Sequence, residues 1–131
     1  MIRTIVGAVA AVAAAVVGAV PAPATGAYRA SAPRARLTLT YMADAGYATA
    51  VKLTCGPAGG GHPEATQACA TLRTTGANPN KIKPAQVMCM MLYAPITAQL
   101  TGTWRGARVT WSHKYGNSCE MTRATGVLFK F

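Results

Sequence analysis

The side chains that could do chemistry in this sequence are four cysteines, two histidines and three carboxylates among 131 residues. The carboxylates Asp44, Glu64 and Glu120 have no spacing that suggests a glycosidase pair or an acidic metal cage. His62 and His113 lack a supporting motif for a Ser–His–Asp arrangement, so we expect both histidines to be structural. The sequence therefore predicts no enzyme activity, no metal site and no cofactor.

The four cysteines predict two disulfides rather than a metal site or a nucleophile. Structural zinc sites use close pairs such as C-x-x-C, and no two cysteines of this chain are that close. An even number of widely spaced cysteines suits pairing in an oxidising compartment. The spacing leaves three pairings open among Cys55, Cys69, Cys89 and Cys119.

Residues 1–24 are typical of an export signal. Arg3 provides a positive start, residues 5–20 are an uncharged apolar run, and two prolines follow that run. The run is short for a membrane span, which needs about 20 residues. Small residues at the positions that signal peptidase reads predict cleavage after Ala24, with cleavage after Ala27 as the alternative. We therefore expect a secreted, extracellular protein with no membrane partner once the signal peptide is removed.

The chain is strongly basic, with 13 Lys and Arg against 3 Asp and Glu and a formal net charge of +10. Nucleic-acid-binding proteins gather their basic residues into a stripe with interleaved aromatic residues. Here the basic residues are scattered singly between Arg29 and Lys130. We therefore expect no nucleic-acid partner, while the charge favours encounter with an acidic protein surface.

After a flexible leader, residues 25–36, the sequence predicts one domain over residues 37–131. Alternating apolar and polar residues indicate strands, whereas Pro63 and the pair Asn117 and Glu120 are typical of helix starts. The predicted strands are 37–42, 47–54, 96–104, 108–115 and 127–131, and the predicted helices are 63–74 and 118–123. This pattern predicts an α+β fold with a five-stranded antiparallel sheet, two helices and two disulfides.

The segment 88–95, Met-Cys-Met-Met-Leu-Tyr-Ala-Pro, is the most informative part of the chain. One interpretation is core filler, because methionine packs into irregular spaces. The segment lies between a half-cystine and a proline, however, and loops anchored in this way are usually exposed. An exposed Met-Met-Leu run is unfavourable in water unless a partner covers it. The segment therefore predicts a contact surface for a partner.

Several short motifs occur together in an order that is typical of one family. They are CGP at 55–57, GGHP at 60–63, ACATL at 68–72, VMCMMLYAP at 87–95, GTWRGARV at 102–109, NSCEM at 117–121 and VLFKF at 127–131. From about Leu37 to Phe131 the chain thereby resembles the Streptomyces subtilisin inhibitor family of secreted serine protease inhibitors.

This resemblance implies the disulfides Cys55–Cys69 and Cys89–Cys119, a five-stranded sheet with two helices, and a homodimer. It also implies that the reactive bond is Met91–Leu92, with Met91 in the specificity pocket of the protease. The expected partner is a subtilisin-like protease, and chymotrypsin-like enzymes also have pockets that suit an apolar side chain. The further loop residues expected to contact the protease are Met88, Cys89, Met90, Tyr93 and Ala94.

Two loop residues depart from the family pattern. The family often has proline where this chain has Met90, and aspartate where this chain has Ala94. Loss of the proline removes a restraint on the backbone, which loosens the loop and makes the bond easier to cleave. The alternative hypothesis is therefore a secreted basic binding protein on the same scaffold, with inhibition weakened or lost.

Overall fold

The computed structural model describes Gly7, residues 10–21 and residues 32–131. The chain divides into two units, residues 1–30 and residues 31–131. The described residues of the first unit have no regular secondary structure and are exposed. The predicted cleavage sites after Ala24 and Ala27 lie outside the described residues. Among the described residues, no helix has both the length and the apolar character needed to cross a membrane.

The second unit contains a five-stranded sheet with the order β3-β2-β1-β4-β5, in which all neighbours are antiparallel. The strands are β1 (Ala35–Ala43), β2 (Ala48–Cys55), β3 (Gly59–Gly60), β4 (Ile96–Trp104) and β5 (Ala107–Tyr115). The helices are α1 (Ala65–Thr75) and α2 (Ser118–Thr125), and two 3₁₀ helices span Pro79–Lys81 and Gly126–Phe129. The predicted α+β class and antiparallel sheet are confirmed.

One face of the sheet carries the core and the other is rich in threonine. Leu39, Leu53 and Leu100 are fully buried, and they pack with Leu72 of α1 and Leu128 of the C-terminal 3₁₀ helix. On β1 the buried Leu37 and Leu39 alternate with Thr38 and Thr40 on the opposite face, because successive side chains of a strand point to opposite sides. The alternation of apolar and polar residues that predicts these strands therefore also identifies their buried face.

The predicted last strand over 127–131 is wrong, because residues Gly126–Phe129 form a 3₁₀ helix. Leu128 and Phe129 are consecutive and both are buried. A strand with one buried face cannot bury two consecutive side chains, whereas a helical turn can. Phe131 then stacks on Tyr41 with 5.1 Å between ring centroids. The chain end thus closes the core without joining the sheet.

The fifth strand is instead β3, which lies in the segment 56–62 that the sequence predicts as a loop. Gly59 and Gly60 pair with Thr54 and Leu53 at the edge of β2. Gly60 has a φ of +93°, and a Cβ atom there would collide with the backbone carbonyl of Lys52. Glycine is therefore required for the chain to approach this edge so closely.

Helix α1 begins at Ala65 rather than at the predicted Pro63. The backbone N–H of Glu64 donates to Nδ1 of His62 at 3.0 Å, and this turn keeps Glu64 outside the helix. The helix still carries Cys69 into the core as predicted, with 2% of its surface exposed. At its end Gly76 adopts the left-handed conformation, with a φ of +63°, that commonly terminates helices.

Candidate functional site

The segment 83–95 connects the 3₁₀ helix Pro79–Lys81 to β4 without regular secondary structure. Met88 and Met91 are essentially fully exposed, at 98% and 102%. Met90, Leu92 and Tyr93 are also exposed. The predicted exposure of this segment is confirmed, and core filler is excluded as its role. We refer to residues 88–95 as the exposed loop.

The side chain of Asn117 holds the backbone of the exposed loop on both sides of Met91. Its Nδ2 atom donates to the carbonyl oxygen of Leu92 at 2.8 Å and to that of Met90 at 3.2 Å. Asn117 itself is 6% exposed, so water competes little for these hydrogen bonds. The peptide bond between Met91 and Leu92 therefore lies between two fixed carbonyl groups.

The Met91 backbone forms the apex of a tight turn. The N–H of Leu92 donates to the carbonyl oxygen of Met90 at 2.8 Å, which closes a three-residue turn around Met91. Met91 is also the most exposed large apolar residue among the described residues.

Covalent and backbone contacts fix both ends of the exposed loop. Before the turn, Cys89 is bonded to Cys119 of α2, with Cα atoms 5.7 Å apart. After the turn, the N–H of Ala94 donates to the carbonyl oxygen of Gly116 at 2.8 Å. The carbonyl oxygen of Pro95 accepts a hydrogen bond from the N–H of Asp44 at 3.0 Å. The loop is thus held against α2 and the β1–β2 turn.

The start of α2 is itself fixed by hydrogen bonds, as Asn117 and Glu120 predict. The N–H of Glu120 donates to Oδ1 of Asn117 at 2.9 Å, and the N–H of Gly116 donates to Oε2 of Glu120 at 3.1 Å. These contacts satisfy two backbone donors in the manner of a capping box. The sequence motif predicts the cap. The motif does not predict that the amide nitrogen of the same asparagine also donates hydrogen bonds to the exposed loop.

An ion pair lies at the end of the sheet that supports the exposed loop. Nζ of Lys114 is 2.8 Å from Oδ2 of Asp44, and this hydrogen bond raises the pKa of Lys114 above its usual value. Burial raises the pKa of the neighbouring Tyr115, because its charged form is disfavoured away from water. Both residues remain in their ordinary protonation states at neutral pH, so neither offers acid–base chemistry.

Both histidines have the structural roles that the sequence predicts. His62 is buried, and because its Nδ1 accepts from Glu64, its Nε2 carries the proton and donates to the carbonyl oxygen of Leu128 at 2.9 Å. On one face of β5, the ring of His113 stacks on Trp111 and packs at a tilt against Tyr115. Within the described residues, no group of His, Cys, Asp and Glu side chains could hold a metal ion.

The disulfides of the structure are Cys55–Cys69 and Cys89–Cys119. This is the pairing that the family resemblance implies, chosen from the three that the spacing leaves open. The first joins the end of β2 to α1, and the second joins the exposed loop to α2. One disulfide therefore stabilises the core and the other holds the site.

Known proteins share both this sequence pattern and this fold. Subtilisin inhibitor-like protein 4 of Streptomyces lavendulae is 41% identical over 100 residues, covering 72% of this chain and 86% of the relative. Protease inhibitor SIL-V5 of Streptomyces luteoverticillatus is 39% identical over 92 residues, covering 68% and 85%. Among solved structures, sermetstatin of Streptomyces caespitosus, in complex with Bacillus licheniformis subtilisin, superposes with a TM-score of 0.63. That superposition covers 74% of this chain and 98% of sermetstatin at 24% identity, and it shows a shared fold.

The family assignment rests on a match to the family as a whole. Residues 31–117 match the family described as subtilisin inhibitor-like, and they include β1 to β5 and the whole exposed loop. This match covers more than half of the chain, and the Streptomyces relatives agree with it at about two fifths identity. The chain therefore belongs to the subtilisin inhibitor-like family.

Proposed function

We propose that this protein is a secreted inhibitor of subtilisin-like serine proteases, with Met91–Leu92 as its reactive bond. The observation that carries the proposal is the pair of hydrogen bonds from Asn117 to the carbonyl groups of Met90 and Leu92. They fix the backbone on both sides of one bond while the adjoining side chains remain exposed. The names of the relatives, subtilisin inhibitor-like protein and protease inhibitor, agree with this role.

The mechanism follows from a loop that is ordered before it meets the protease. A flexible peptide loses conformational entropy when it binds a cleft, whereas a loop already held in shape loses little. When the protease cuts Met91–Leu92, Cys89–Cys119 and the Ala94–Gly116 hydrogen bond hold the two new ends in place. Religation then competes with release, and the enzyme stays occupied.

The specificity of the inhibitor is set by the side chain of Met91. This side chain is long, flexible and apolar, which suits the apolar pockets of subtilisin-like and chymotrypsin-like enzymes. It offers no cation to the carboxylate of a trypsin pocket. Met88, Cys89, Met90, Tyr93 and Ala94 surround the reactive bond and complete the surface that contacts the protease.

The two departures from the family pattern are compatible with inhibition. Met90 lacks the restraint of a proline ring, but its carbonyl oxygen accepts hydrogen bonds from both Asn117 and Leu92. Ala94 lacks a carboxylate, but its N–H is bonded to Gly116. These backbone contacts supply order that does not depend on the side chains at positions 90 and 94.

The proposal includes export and self-association. Residues 1–24 serve as the signal peptide, and the leader, predicted as 25–36, ends before Ala35, because Ala35 and Arg36 already belong to β1 of the inhibitor domain. Two disulfides are usual in a small extracellular protein and rare in the cytosol. The mature protein associates as a homodimer through a surface that leaves the exposed loop free.

Incubation of the mature protein with subtilisin tests the proposal directly. We expect nanomolar inhibition of subtilisin, weak or no inhibition of trypsin, and slow cleavage at Met91–Leu92 that mass spectrometry locates. The same spectra give the mature amino terminus. Absence of inhibition at micromolar protein would overturn the proposal in favour of a binding protein on this scaffold. Cleavage at another bond would show that the reactive bond is misplaced.

A further inference from the structure

Three arginines surround a cavity at the end of the sheet opposite the exposed loop. Arg34 precedes β1, Arg73 lies in the last turn of α1, and Arg105 lies in the turn between β4 and β5. The cavity has a volume of about 350 Å³. The other residues that line it are Ala35, Cys55, Gly56, Pro57 and Trp104. Strand β4 separates this cavity from the loop by roughly 26 Å, at 3.3 Å per residue.

The three arginines have no acidic partner among residues 32–131. The whole chain has three carboxylates, and Asp44 is bonded to Lys114. Glu120 accepts the N–H of Gly116, and Glu64 lies at the opposite end of α1 from Arg73. Three cationic residues that line one cavity without a counter-ion make that cavity attractive to an anion.

Arg105 adopts a backbone conformation that arginine rarely takes. Arg105 and Gly106 form the two-residue turn between β4 and β5, since Trp104 pairs directly with Ala107. The φ of Arg105 is +48°, in the left-handed region, where asparagine, aspartate or glycine is preferred in such turns. Its guanidinium carbon lies 5.7 Å from the centroid of the Trp104 ring, which holds the side chain beside the cavity. Strain at a charged residue in a cavity wall points to a role in binding.

The other two arginines, Arg34 and Arg73, lie close to the Cys55–Cys69 disulfide, which fixes this end of the core. Gly56 has a φ of +68°, and a Cβ atom there would lie 3.2 Å from the side chain of Arg34. The absence of that atom lets the stem of Arg34 lie against the backbone. Arg73 follows Cys69 by one helical turn, so the disulfide also positions α1 and its arginine.

We propose that this three-arginine cavity binds a small phosphate-bearing anion, such as pyrophosphate or a phosphomonoester. Guanidinium groups match phosphate oxygens through paired hydrogen bonds, and they cannot lose their charge at physiological pH. The volume is in the range of cavities that bind small molecules, and the indole of Trp104 forms an apolar wall. Because the cavity and the exposed loop are at opposite ends of the sheet, the anion and a protease can bind at the same time.

Calorimetric titration of the mature protein with pyrophosphate, in about 150 mM NaCl to screen diffuse attraction, tests this inference. We expect one saturable site. The double variant Arg73→Gln/Arg105→Gln should bind at least about tenfold more weakly, because two charge-assisted contacts are lost. The control Lys81→Gln/Lys83→Gln removes the same charge from exposed residues elsewhere. It should bind as the unchanged protein does.

Three outcomes would overturn the inference: no saturable binding, equal weakening in both double variants, or equal affinity for sulfate. Chemical-shift mapping provides a second measurement, with the largest changes expected at the Gly56 amide and the Trp104 indole N–H. Arg105→Lys keeps the charge and loses the paired hydrogen bonds, so it should weaken binding without altering the fold. Inhibition of subtilisin should be the same with and without pyrophosphate, which separates this site from the proposed function of the loop.

Discussion

The side-chain amide of Asn117 forms hydrogen bonds with both the exposed loop and helix α2. Its oxygen accepts the N–H of Glu120, and its nitrogen donates to the carbonyl groups of Met90 and Leu92. The helix start and the loop therefore share one buried side chain. This coupling transmits the rigidity of α2 to the proposed reactive bond.

Two substitutions of Asn117 separate these tasks. Asn117→Asp keeps a good helix cap but replaces the donor with an oxygen that repels both carbonyl groups. We expect a free energy of unfolding lower by about 2 kcal/mol, roughly tenfold or greater weakening of subtilisin inhibition, and faster cleavage, since each of the two lost hydrogen bonds is worth about 1 kcal/mol. Asn117→Ala loses the helix cap as well, which should lower the free energy of unfolding by about a further 1 kcal/mol. Inhibition constants and urea titrations measure the two effects. Unchanged inhibition by Asn117→Asp would show that the amide nitrogen does not hold the loop.

Met91 offers a test of specificity at a single side chain. Met91→Lys should shift inhibition from subtilisin toward trypsin, because lysine places a cation in the carboxylate-lined trypsin pocket. Met88→Lys is the matched control, since it adds the same charge to an equally exposed methionine of the same loop. Trypsin inhibition should appear with Met91→Lys alone. If both variants gain it equally, general charge attraction is responsible, and Met91 does not enter the pocket.

At the scale of elements, the two disulfides have different tasks. The chain-entropy model assigns ~3.7 kcal/mol to Cys89–Cys119 and ~3 kcal/mol to Cys55–Cys69, from sequence separations of 30 and 14. Replacing either pair with alanines should therefore lower stability by similar amounts. Only loss of Cys89–Cys119 frees one end of the exposed loop, so only that variant should inhibit weakly and be cleaved quickly. Both variants are assayed where circular dichroism shows them folded. Equal inhibition by the two would mean that the flanking hydrogen bonds hold the loop unaided.

Elements with a clear period are the ones that the sequence predicts well. The β4–β5 pair alternates apolar and polar residues over its length, and β4 spans Ile96–Trp104 as predicted. The C-terminal residues 127–131 lack that alternation, and a short apolar run fits a strand and a helical turn equally. Strand β3 forms because two glycines approach the backbone of β2 closely. Such a contact leaves no periodic pattern in the sequence, so the sequence does not predict it.

The candidate site is predictable in position but not in its supporting contacts. Exposure of Met91 follows from a methionine run anchored by a half-cystine and a proline. The hydrogen bonds of Asn117 join residues 25 and 27 positions apart, and the exact approach depends on how α2 packs. The three-arginine cavity likewise gathers Arg34, Arg73 and Arg105 from separate elements. Such constellations arise only when the chain is folded.

At the scale of the whole molecule, the open face of the sheet is the surface that we propose for the homodimer. Within residues 32–131 the helices pack on the other face, and the exposed loop and the three-arginine cavity occupy the two ends. Thr38, Thr101 and Thr110 are register partners in a row across β1, β4 and β5. Two copies that meet through this face leave both exposed loops free for protease.

Thr101→Arg tests this arrangement. In a two-fold interface each patch meets its own copy, so an arginine at the centre of the face brings like charges together and should prevent association. Sedimentation equilibrium should give about twice the chain mass for the unchanged protein and the chain mass for this variant. Thr66→Arg, on the exposed side of α1, is the matched control and should remain dimeric. Inhibition of subtilisin should persist in all three, because the exposed loop lies at the end of the sheet. A dimeric Thr101→Arg variant would place the interface elsewhere, and a monomeric unchanged protein would contradict the homodimer.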